Sequence, residues 1–137
     1  MSVFDPETIL IPVEVDVDDF GWLATALQFS RRVTADVYIL FVNDAQAGYR
    51  HPRVDEEELE ERIRASVDPG EFDGVSVRFN VAQGDVSSCV KKFCDEHRID
   101  MIATGHRHHA RLYGHFFDTG DQEIIDAVEI PVLVIPK

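Results

Sequence analysis

The chain has 137 residues, 45% of them hydrophobic, which suits a single domain spanning 1–137 with room for a sizeable core. Its net charge of -13 excludes a nucleic-acid surface, which needs basic residues, and disfavours an anionic membrane face. No apolar run approaches the roughly 20 residues of a membrane span, and the opening MSVFDPETILIPVEV lacks the basic start of a signal peptide, so a cytoplasmic protein is expected.

Thr8–Val15 (TILIPVEV) reads as a central parallel strand, apolar on both faces at first. Asp16-Val-Asp-Asp offers N-cap candidates for a helix over Phe20–Val33, in which Leu23, Ala26, Leu27, Ser30 and Val33 recur at helical spacing. Gly21 weakens its first turn slightly. Asp36–Val42 is a second buried strand, and Asn43–Pro52 a polar loop. Val54–Val67 is a helix with Leu59, Ile63 and Val67 on its inner face and a solvated acidic run over Glu57–Glu61. Asp68-Pro-Gly-Glu-Phe-Asp-Gly is a turn. Val75–Ala82 alternates, as a half-exposed or edge strand does. Gly84-Asp85 turns into a helix over Val86–Arg98. Asp100–Thr104 and Pro131–Ile135 are the last two strands, with a helix over Thr119–Val128 between them whose inner face is Ile124, Ile125 and Val128.

This alternation specifies an α/β fold: an open five-stranded parallel sheet, doubly wound, with helices on both faces and right-handed crossovers. Ligands of such sheets sit beyond the carboxyl ends of the strands, at the switch point of strand order. That edge is formed here by Glu14, Val42 and Gly105.

Two features of composition carry weight. Lys91, Lys92 and Lys137 are the only lysines, and aspartate is abundant. Such a surface suits molar salt, where the Debye length falls to about 3 Å and self-repulsion is screened. A salt-loving source is the expectation; an ordinary acidic protein is the alternative. Cys89 and Cys94, five residues apart in a helical pattern, fall on different helix faces, which argues against a mutual disulfide.

The stretch from Asp100 to Pro136, DMIATGHRHHARLYGHFFDTGDQEIIDAVEIPVLVIP, closes the chain as strand, glycine, histidine-rich loop, helix and strand. With the opening ILIPVEV, the ILFV of the second strand and Gly84-Asp85, it resembles the universal stress protein family over nearly the whole chain. The family pattern is D-L-I-V-x-G, then G-x2-G-x9-G-[ST], then a helix and P-V-L-V-V; DMIATG ends on Gly105 and PVLVI begins at Pro131 in the same spacing. The resemblance implies an adenine nucleotide alpha hydrolase-like fold and, in binding members, ATP or AMP held around Pro12, Val13, Glu14, Val42, Gly105, Arg107, His108, Asp118 and Thr119. It also implies a homodimer through the last strand, with Val132, Leu133 and Val134 at the edge. Two of the four loop positions depart from the pattern, since His108 and Asp118 stand where glycines are wanted. Glycine lets amides approach phosphate oxygens; a Cβ blocks that approach or strains the backbone, and Asp118 adds like charge. The resemblance therefore points to a stress-response module without tight ATP binding, with a nucleotide sensor as the alternative.

His106, His108, His109 and His115 cluster in this loop. Imidazoles at this density suggest a transition-metal site on His106, His108 and His115, although the spacing matches no established zinc motif. A polar loop of hydrogen-bonded imidazoles is the plainer reading, and a pH sensor a third. No catalytic centre emerges. Ser87-Ser88 sit at a helix start as capping residues without a nucleophile elbow, and Glu14 with a loop histidine is the only acid–base pairing on offer.

Overall fold

The computed structural model describes residues 5–13, 20–43, 54–106, 124–125 and 127–136. Five strands, β1 (Thr8–Val13), β2 (Asp36–Asn43), β3 (Val77–Gln83), β4 (Met101–His106) and β5 (Val132–Pro136), form one parallel sheet in the order β3-β2-β1-β4-β5. Three helices, α1 (Gly21–Arg32), α2 (Glu56–Ser66) and α3 (Val86–His97), and a short 3-10 turn at Pro69–Phe72 connect them. The expected doubly wound architecture is the observed one. Ile124, Ile125 and Ala127 are helical, but most of the last expected helix lies outside the described residues.

Each face of the sheet carries its own core. On one, Ile9, Ile11, Val37 and Ile39 pack against Leu23 and Leu27 of α1 and Leu59 and Ile63 of α2. On the other, Leu10, Leu40, Val42 and Ile102 meet Val90 and Phe93 of α3 and Ile124. The odd and even residues of β1 and β2 thus serve opposite layers, which is why both strands read as unbroken apolar runs. Ile124 is 4% exposed, but Ile125, expected on the inner face, is 40% exposed: adjacent helical residues lie about 100° apart, so one of the two must turn outward.

Local chemistry sets the boundaries. α2 and α3 begin where Asp55 and Asp85 accept backbone N–H bonds three residues on, from Glu58 at 2.8 Å and Ser88 at 3.0 Å. Ser87 and Ser88 do not cap α3 themselves. Their hydroxyls donate to the Asp85 carboxylate at 2.8 and 2.9 Å, and these bonds, Ser87's first, with the Ser88 amide hold Asp85 below the ordinary carboxylate range. The expected caps of α1 at 16–19 lie outside the described residues; Phe20 takes the N-cap position without a side-chain bond. β3 starts at Val77 rather than Val75, because Gly74 (φ +75°) and the Val75 N–H bond to Phe72 prolong the preceding turn.

Asp100, expected to open the fourth strand, instead precedes it as a clamp. Its Oδ2 accepts the backbone N–H of Glu7 and Thr8, both at 3.0 Å, while its own N–H donates to Thr8 O. A carboxylate serving two amides is worth more than a neutral bond, so Asp100→Ala is expected to cost about 1.5–3 kcal/mol. An unchanged urea midpoint would show that water replaces the carboxylate at no loss.

Cys89 and Cys94 are both half-buried and are not joined to each other in a disulfide, in line with their spacing. Burial, helped by the charge of Asp95, pushes the Cys94 thiol up to about 11. A thiol whose folded pKa lies above its unfolded value contributes stability that is complete below about pH 9 and lost as pH rises toward 11. Cys94→Ala is accordingly expected to flatten the alkaline limb of a stability–pH curve. An equally steep limb in the variant would assign the loss elsewhere.

Candidate functional site

Pro12 and Val13 close β1, Val42 and Asn43 close β2, and Gly105 lies near the end of β4. Because the sheet is parallel, these ends share one rim. Val13 pairs with Phe41 on β2, and Gly105 pairs with Ile135 on β5. β1 lies between β2, which follows it in sequence, and β4, reached only after β3 at the far edge, so strand order reverses at β1–β4. This is where ligands of open α/β sheets sit. Pro12, Val13, Val42 and Gly105, four of the nine residues expected around a nucleotide, are thereby brought to the rim, all of them buried.

Pro12 has a second effect that sequence reasoning missed. Asp36 donates to Glu7 O and Asp100 donates to Thr8 O, so odd-numbered residues of β1 bond toward β2 and even-numbered ones toward β4. The nitrogen of Pro12 therefore faces β4 and has no proton to donate. The β1–β2 ladder runs from Thr8–Asp36 to Val13–Phe41, whereas the β1–β4 ladder comprises only Ile9–Met101 and Leu10–Ile102. The ladder stops at the level where proline removes the donor. A proline within a central strand was the available signal.

The rest of the rim is built by hydrogen bonds. Asn43 holds the chain that returns into α2: its Nδ2 donates to Val54 O at 3.1 Å and its Oδ1 accepts the Val54 N–H at 3.2 Å. Gly84 takes φ +126°, a conformation an L side chain rarely adopts, and donates to Asn43 O at 2.9 Å. The Cys89 thiol donates to Gln83 O at 3.3 Å beneath this turn. Val54 and Gly84 are thus fixed to the end of β2.

Glu14, Arg107, His108, Asp118 and Thr119 lie outside the described residues, as do His109, Arg111 and His115 of the histidine cluster. His106 is in β4, its backbone paired with Pro136. Among the described residues no three metal-binding side chains converge. Val132, Leu133 and Val134 are in β5, which forms one edge of the sheet, and Val134 is 42% exposed. No described helix is long and apolar enough to cross a membrane.

The universal stress protein family matches residues 6–136. No curated protein matches the chain. Among solved structures, a universal stress protein from Archaeoglobus fulgidus is 18% identical, with a TM-score of 0.71, and the alignment covers 94% of this chain and 98% of that one. The same source supplies a structure in complex with dAMP, at 18% identity and a TM-score of 0.66, covering 94% of this chain and 97% of that one. A universal stress protein in complex with cAMP is 14% identical, with a TM-score of 0.68 and coverage of 96% and 98%. At such low identities the structural similarity shows the shared fold alone.

Proposed function

Because the chain belongs to the universal stress protein family, we propose that it is a cytoplasmic stress-response module that acts as a homodimer and does not hold ATP tightly. The observation that carries this reading is the pair of substitutions in the loop after β4. Gly105 and Thr119 keep the family's frame, while His108 and Asp118 occupy the two positions at which binding members have glycine. A carboxylate placed against a polyphosphate repels it, and two added Cβ atoms hold the backbone amides away. The dimer rests on β5, whose even-numbered residues point their backbone groups away from β4, since Ile102 donates to Pro131 O. An edge of this kind, with half-exposed Val134, favours pairing with a second copy.

A second reading, a sensor of AMP-type nucleotides, is favoured by the reversal of strand order at β1–β4 and by the relatives solved with cAMP and dAMP. A single phosphate demands less of the loop than a triphosphate does. Thermal-shift titrations with ATP and AMP at 0.1 M and 2 M KCl separate the two, alongside mass spectrometry of ligand released on heat denaturation. The module predicts no released nucleotide and no shift with ATP; a shift with AMP at either salt makes the sensor the better description.

A further inference from the structure

We draw no further inference here: the strongest candidate, the groove of about 540 Å³ along the outer face of α1 lined among the described residues by Thr25, Gln28, Phe29, Arg31 and Arg32, carries nothing because Arg31 already donates to Asp73 O and Glu71 O and Gln28 to the Glu71 carboxylate, and nothing in the structure shows what fills it.

Discussion

Replacing His108 and Asp118 together by glycine is expected to tighten ATP binding by about 100-fold in 0.1 M KCl, measured by isothermal titration. The Asp118 charge supplies most of this. At about 5 Å from a phosphate charge and an effective dielectric near 20, it repels by roughly 3 kcal/mol. The helix start that the sequence predicts near Thr119 would return only about 0.3–1 kcal/mol through its N-terminal dipole. Removing the two Cβ atoms adds relief of backbone strain on the order of 1–3 kcal/mol where the loop must take φ > 0. At 2 M KCl the gain shrinks, because screening has already removed much of the repulsion at an exposed site. Asp118→Asn separates the two terms, since it deletes the charge and keeps the Cβ. If the double variant gains less than about threefold at low salt, under 1 kcal/mol, the loop substitutions are not what weakens binding.

Val134→Asp is expected to abolish the proposed β5 dimer, raising its dissociation constant by more than about 100-fold at 0.1 M KCl. Val134 shares a face of the sheet with Val132, and Val134 and Ile125 are the large apolar side chains left exposed among the described residues. A carboxylate buried there without a partner costs about 3–5 kcal/mol, and the twofold duplicates it. In the monomer the same residue faces water, so thermal unfolding measured at concentrations where both proteins are monomeric is expected to be nearly unchanged. Sedimentation showing an undiminished dimer of normal stability would remove β5 from the interface.

The strands and helices were legible because apolar spacing dictates them. The Leu59, Ile63, Val67 repeat predicted one buried face of α2, and all three residues are buried. Alternation in VSVRFNVA predicted a strand that is half-exposed or at a sheet edge, and β3 lies at an edge. What periodicity could not convey was the work of single polar groups. Asp100 looked like the first residue of a strand, yet its carboxylate binds amides more than 90 positions away in the chain. Ser87 and Ser88 looked like caps, but in the structure they brace the residue that does the capping. The rim of strand ends was legible in outline. Strand order placed Pro12, Val13, Val42 and Gly105 on one rim, whereas the gap in the ladder depended on which way a backbone nitrogen points, a parity fixed only by the neighbouring strands.

That gap bears on how the molecule comes apart. β3, β2 and β1 are zipped along their lengths, and so are β4 and β5, but the two groups meet through a short ladder at one end. Across this seam the join is made mainly by side chains: Leu23 and Leu27 of α1 share a buried layer with Ile9 and Ile11 on one side and Met101 and Ala103 on the other. Apolar packing weakens on cooling, while backbone hydrogen bonds are far less affected. Partial opening in the cold is therefore directed to the seam, parting the sheet into two cooperative blocks before either block melts. Amides near Pro12 and Ala103 would be the first of the central strands to exchange with solvent.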